Sequence, residues 1–448
     1  MITKRVYRGK PAVDGWQSLV HVCRQWRNVI FRSPHRLKLQ LYCTDKTPAK
    51  DRLDVWPALP LRVIVRSVTV VTISGIDNVI AALEQSNRVC QVDLYLANWQ
   101  LEKVLAPMQV SFPELTDLYL SSYDETSPVI PDSFLGRSAP HLRFLTLENI
   151  SFPGLPKLLM SATHLVELNL HGIPHSGYIS PKAIIALLST LFSLGTLSLK
   201  FESPQSRPYR ETQSLPPPKR SVLPSLHKFC FQGVTEYLEE LVTRIDTPQL
   251  EYMDITFFNQ IDFDCPRLAQ FIKCTPMFRV LDEAHVRFKD SFASVTLRSR
   301  TSIFENDDLR VYISCREPDW QLSSIEQVCN FSFPSLPMIE DLYIKHYYSG
   351  LVWKNEAIEN TLWFQLLLPF TAVKNFYLSK EFVPGIASAL QELVGGRITE
   401  VLPSLQNIFV EGLESLGPFN FHENIGQFVA ARQLLGCQIS ISTWERCT

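Results

Sequence analysis

Two short clusters have the composition of a reactive centre. His171 and His175 stand four apart in LHGIPHSGY. On a helix that spacing would set both imidazoles on one face, as in a metal pair. Gly172, Pro174 and Gly177 disfavour a helix there, and no cysteine lies close by, so no metal is expected. Asp262 and Asp264 stand two apart in IDFDCP. Paired carboxylates do acid–base work only in a cleft, so these two are expected to be solvated loop charges. The glycine-rich phosphate loops, the G-x-S-x-G nucleophile turn and the H-E-x-x-H zinc helix do not occur. An enzyme is therefore not expected, and no cofactor is implied.

The ten cysteines are scattered, the closest two being nine residues apart, and no CxxC pair occurs. Such spacing predicts small apolar core residues in a reducing compartment rather than a zinc or redox motif. The start, MITKRVYRGK, is basic with no apolar run behind it, so no secretory leader is expected. No apolar stretch approaches the ~18 residues of a membrane span. A cytoplasmic or nuclear location is the expectation. Lys and Arg number 43 against 45 Asp and Glu, so nucleic acid and membrane are not expected partners.

With chemistry set aside, the strongest signal is repetition. An apolar residue, two variable residues, an apolar one, one variable and one apolar recur along the chain, often after Pro. The clearest copies are FPELTDLYL (112–120), APHLRFLTL (139–147), ATHLVELNL (162–170) and LFSLGTLSL (191–199), with later copies such as LPSLQNIFV (402–410). Anchored on Val89, Leu115, Leu142, Leu165, Leu194, Leu226 and Leu250, the steps are 26, 27, 23, 29, 32 and 24 residues. Phe278 follows after 28 in a poor copy, Ile339 after 61, and Val373 and Leu405 after 34 and 32.

In L-x-x-L-x-L the last two apolar residues share one face of a strand. Segments such as AIIALLSTL (183–191), TEYLEELVTRI (235–245) and RLAQFIKC (267–274) have helical apolar spacing and return the chain to the next strand. One strand and one helix cannot bury a core alone, but stacked units can. The expected fold is α/β: a leucine-rich-repeat solenoid, its curved parallel sheet backed by helices or loops on the convex side, with a short N-terminal helical cap. The rhythm breaks at 284–330, where SFASVTLRS (291–299) and LRVYISCR (309–316) are either two degenerate repeats or an inserted hairpin. A Pro-, Ser- and Arg/Lys-rich insert at 202–222, with PPPKR at 216–220, is expected to be a disordered bulge.

Residues 16–31, WQSLVHVCRQWRNVIF, carry Trp16, Leu19, Val20, Cys23, Trp26, Val29 and Ile30 on one helical face. W-x-x-L-V-x-V-C-x-x-W-R, followed by S-P-x-R-L-x-L-x-L, resembles the second half of an F-box and the first repeat strand after it. TDKTPAKDRLDVWPALPLRVIV (44–65), VLPSLQNIFVEGL (401–413) and GQFVAARQL (426–434) extend the resemblance to the large fungal group of F-box/leucine-rich-repeat proteins, over essentially the whole chain. Residues 1–15 lack the family's Leu-Pro opening, so the first half of the F-box is missing from the match. The resemblance implies a substrate receptor of a cullin–RING ubiquitin ligase, with Leu19, Val22, Cys23 and Trp26 facing the adaptor subunit and the repeats holding a protein substrate. The competing expectation is a recognition or scaffold protein without adaptor binding, in which this segment only caps the array. Residues 1–36 thus form a partial F-box-like or capping segment and 37–448 an irregular repeat array.

Stacked repeats align their variable strand positions on one concave face. The expected central column is Asp93, Tyr119, Thr146, Asn169, Ser198, Cys230, Asp254, Tyr343, Tyr377 and Phe409. Asp93, Asp117, Glu148 and Glu167 make the early repeats acidic and suit a basic partner segment. Tyr343, Tyr377 and Phe409 place aromatics late in the array, where exposed rings are binding hot spots. The alternative for these rings is burial against the chain's own 417–434.

Overall fold

The computed structural model describes residues 39–43, 48–55, 59–65, 72–204, 220–260, 262–300, 308–333, 335–347, 360–394, 397–412 and 421–445, with 23–25 and 28. The chain divides into two units, Met1–Tyr178 and Ile179–Thr448.

In the first unit the elements run β1 (Leu39–Tyr42), α1 (Ala49–Val55), β2 (Leu61–Val65), α2 (Ile73–Leu83), β3 (Val89–Leu96), α3 (Asn98–Leu105), β4 (Asp117–Ser122), β5 (Phe144–Glu148), α4 (Leu155–Leu159) and β6 (Glu167–Ile173). All six strands are parallel and pair in chain order. The repeat leucines explain the register. Leu115, Leu142 and Leu165 are buried at the strand entrances, and Leu118/Leu120, Leu145/Leu147 and Leu168/Leu170 are buried along the strands. At each entrance a backbone N–H reaches the carbonyl of the preceding repeat: Thr116 to Cys90, Arg143 to Thr116, Val166 to Arg143. This strand-plus-helix stacking is the leucine-rich-repeat arrangement.

The second unit contains α5 (Pro181–Leu188), β7 (Thr196–Phe201), β8 (Ser221–Val222), β9 (Lys228–Gly233), α6 (Thr235–Arg244), β10 (Ile245–Asp246), β11 (Tyr252–Phe257), α7 (Pro266–Cys274), β12 (Glu283–Lys289), β13 (Phe292–Arg298) and β14 (Leu309–Ser314). It continues with α8 (Pro318–Ser332), β15 (Asp341–His346), α9 (Asn360–Leu367), β16 (Asn375–Leu378), α10 (Val383–Gln391), β17 (Asn407–Glu411), α11 (Phe421–Leu434) and β18 (Ser440–Trp444). The three helices expected at 183–191, 235–245 and 267–274 are α5, α6 and α7. β8, the end of the expected insert, pairs with β10, while 205–219 lie outside the described residues.

The break at 284–330 is an inserted antiparallel meander. Its spatial order is β11-β14-β13-β12-β15. The two residues between β12 and β13 are too few for a crossover helix, so β13 must run antiparallel. α7 and α8 therefore each connect strands that are not neighbours. Behind the sheet, Phe288 of β12 meets Trp363 of α9 and Phe382 at ring separations of 6.2 and 5.2 Å. That shared aromatic core locks the reversed strands to the repeats that follow. Of the cysteines, Cys43, Cys90, Cys230, Cys265, Cys315 and Cys329 are buried, as expected of small core residues, whereas Cys23 and Cys274 are exposed and Cys437 is half-buried; burial raises the Cys230 thiol to about 11.

Candidate partner-binding face

The sheet face away from the helices carries the variable strand positions. In the first unit the pairings align Ile64, Asp93, Tyr119, Thr146 and Asn169 in one column. In the second unit they align Ser198, Cys230, Asp254, Arg310, Thr296, His285, Tyr343, Tyr377, Phe409 and Ser442. Within each unit, the residues of the expected central column take their places in register. The structure adds Arg310, Thr296 and His285, which the reversed order of the meander concealed in the sequence. It also adds Ser442 from β18, whose I-S-I-S alternation (439–442) was its only signal.

The acidic residues of the first unit are held by neutral donors. Tyr119 OH donates to Glu148 Oε2 at 2.8 Å and Ser121 Oγ to the same oxygen at 3.2 Å. Asn169 Nδ2 donates to Glu167 Oε1 at 2.5 Å, and Thr116 Oγ1 to Asp117 Oδ2 at 2.6 Å. Burial, then the bond to Glu148, pushes the Tyr119 phenol above its usual range, which keeps it a donor. Among the described residues Asp117, Glu148 and Glu167 form no ion pair, so their charge is offered outward. Asp93 is only 1 % exposed and lies beneath that surface.

In the second unit the aromatic residues form a ladder. His285 stacks on Tyr343 at 4.4 Å and 5°, Tyr343 on Tyr377 at 4.1 Å and 10°, and Tyr377 on Phe409 at 4.5 Å and 9°. Parallel strands ~4.8 Å apart bring identical column positions to ring-stacking distance. Tyr343, Tyr377 and Phe409 are half-buried, because neighbouring rings cover their faces, while His285 at the end of the ladder is buried. This sharpens the expectation of exposed hot-spot aromatics: the patch is one rigid comb rather than three separate anchors. Their burial against 417–434 is not observed for the described part of that segment. α11 packs on α10, with Gln427 receiving a hydrogen bond from Gln391. The covering group is instead Trp444, edge-on to Tyr343 at 6.4 Å and to Tyr377 at 5.9 Å.

Cations line the same face. Lys345 Nζ lies 4.4 Å from the Tyr343 ring and 5.1 Å from that of Trp444. Lys228 and Arg310 lie over Tyr252 at 5.1 and 5.3 Å, and Arg287 over Tyr347 at 5.8 Å. Burial depresses His285 to about 4, against the opposing pull of its contact with Glu283, so its ring is neutral at pH 7.

The reactive-looking clusters do not assemble. His171 sits on β6 beside Glu148, and His175 lies on a single turn at His175–Gly177, so no helix sets them side by side. Asp264 N donates to Asp262 Oδ1 at 2.9 Å, and both residues are exposed on a loop. Among the described residues no cluster of three His, Cys, Asp or Glu side chains is placed to hold a metal ion, and no helix is long and apolar enough to cross a membrane. Of the adaptor-facing candidates, Cys23 is exposed, while Leu19, Val22 and Trp26 lie outside the described residues.

No protein-family model and no curated protein matches the chain. Among solved structures it is similar to the leucine-rich-repeat-containing protein LegL7 from Legionella pneumophila, at 11 % identity over 88 % of this chain and 97 % of that one, with a TM-score of 0.27. It is also similar to a chain of the yeast Rad7 and Elc1 complex, at 14 % identity over 91 % of this chain and 90 % of that one, with a TM-score of 0.28.

Proposed function

We propose that this chain is a non-enzymatic protein-recognition subunit, cytoplasmic or nuclear, that holds a partner protein on the open face of its repeat sheet. The observation that carries this reading is the ladder His285–Tyr343–Tyr377–Phe409, an organised aromatic surface on the sheet with no helix over it among the described residues. Rigid rings give large contact area at low entropic cost, so they concentrate binding energy.

The finer assignment is substrate receptor of a cullin–RING ubiquitin ligase, and it rests on the F-box-like residues 16–31 alone. There Leu19, Val22, Cys23 and Trp26 would face the adaptor and the sheet would hold the protein substrate. Co-purification of the tagged full chain with the cullin adaptor tests it. The expected result is stoichiometric capture, lost with Leu19→Asp and Trp26→Ala. Partner capture without the adaptor would instead establish a recognition or scaffold protein.

A further inference from the structure

We propose that the second unit holds an acidic segment of its protein partner at Arg287 and Lys345, on the open face of the meander. This rests on the protein-binding reading above and adds the chemistry of the bound segment.

The meander places Arg287 directly between Lys345 of β15 and Ser294 of β13. Neighbouring cations already have carboxylates. Arg298 and Arg310 share Asp308 Oδ2 at 3.1 and 2.5 Å, and Arg300 reaches Glu283, Glu340 and Asp341. Arg287 has no such partner among the described residues, and its Nε is buried without a hydrogen bond. The hydroxyls of Ser294 and Thr296, 1 % and 0 % exposed, are likewise unpartnered on the adjoining strand. Buried polar atoms are normally satisfied. The two hydroxyls lie beneath the surface, whereas Arg287 is only half-buried, so its guanidinium is the cation on this face left for an outside carboxylate to pair. Burial pulls the Arg287 guanidinium below its usual range, and Arg298 and Arg310 add to the effect, so an approaching anion relieves an existing penalty.

The adjoining ladder favours the same charge. Tyr343 and Tyr377 are each stacked on both sides, which uses up the faces that carry the negative lobes of the quadrupole and leaves their positive edges outward. With Lys345 over Tyr343 and Lys289 over Tyr347 at 4.7 Å, this surface repels a basic segment and accepts an acidic one. A guanidinium fork matches a planar carboxylate through two parallel hydrogen bonds.

The test uses the full-length chain and three peptide libraries of equal length: one rich in Asp and Glu, a matched one with Asn and Gln, and one centred on phosphothreonine. The acidic library should bind about tenfold more tightly than the amide library and lose that advantage in the Arg287→Met/Lys345→Met double variant. Should that variant fail to fold, photo-crosslinkers in acidic peptides bound to the unaltered chain should mark β12 and β15, with binding weakened by salt. Equal binding of acidic and amide peptides, retention by the folded double variant, crosslinks elsewhere, preference for phosphothreonine alone, or equal displacement by single-stranded RNA would each overturn the proposal. Capture of the physiological partner by a double variant that no longer prefers acidic peptides would sink this inference and leave the protein-binding function standing. Absence of any captured partner would sink that function itself.

Discussion

Tyr343 and Tyr377 stack at 4.1 Å with their planes 10° apart, although they are 34 residues apart in the chain. Their Cα positions are paired in the parallel register of β15 and β16, so the repeat spacing itself sets the contact. Tyr377 also meets Phe409 on its other side and Trp444 at its edge. Tyr377→Ala is predicted to lower stability by about 2–4 kcal/mol, from lost ring pairs and a half-filled gap. Tyr377→Phe, which keeps the ring, should cost less than about 1 kcal/mol. Urea unfolding of both variants checks this; equal effects would show that the stack adds nothing.

His285 makes stability depend on pH. Its folded pKa, about 4, lies below the unfolded value near 6.5. Between these values the unfolded chain binds the proton and the folded chain does not. The contribution is therefore fully present above pH 6.5 and is lost as pH falls toward 4, by up to about 3 kcal/mol. His285→Phe should remove that part of the slope. An unchanged pH profile of unfolding in the variant would contradict the burial of a neutral ring.

Much of this surface was legible in the sequence because the physics is periodic. L-x-x-L-x-L fixes which strand positions face away from the core, so Asp93, Tyr119, Asn169, Tyr343, Tyr377 and Phe409 could be aligned from the leucines alone. His285, Thr296 and Arg310 could not. Their strands enter the sheet in reverse order through a hairpin, and strand order depends on long-range pairing that no local pattern encodes. Arg287 was missed for the same reason. Nor does sequence show that rings in one column will stack on each other, because that depends on side-chain rotation.

Arg432 is fully buried in α11 and donates to the carbonyls of Val401 and Leu402 at 2.7 and 2.9 Å and of Pro403 at 3.3 Å. These carbonyls lie at a turn where Leu402 holds a φ of +48°. Arg432→Met should leave them unsatisfied and cost about 3 kcal/mol or more. Thermal unfolding measures the loss, and a change below about 1 kcal/mol would show that water replaces the guanidinium.

Gly172 has φ +58°, and a Cβ there would run into the Asn149 side chain. Asn149 Nδ2 in turn donates to Ser122 O at 3.0 Å, linking successive repeats. Gly172→Ala is predicted to destabilise by about 1–3 kcal/mol. Combining it with Asn149→Ala should cost less than the sum of the two single changes. Strict additivity in the double-mutant cycle would mean the two residues do not interact.

The most direct measurement concerns which face holds the partner. Photoreactive benzoylphenylalanine is placed at Phe409 on the open face and, separately, at Glu392, exposed at the end of α10 in the helix layer. Irradiation in extracts of the native cell should yield a protein adduct through position 409 and none through 392. An adduct through 392 alone, or equal adducts through both, would contradict partner binding on the open sheet face.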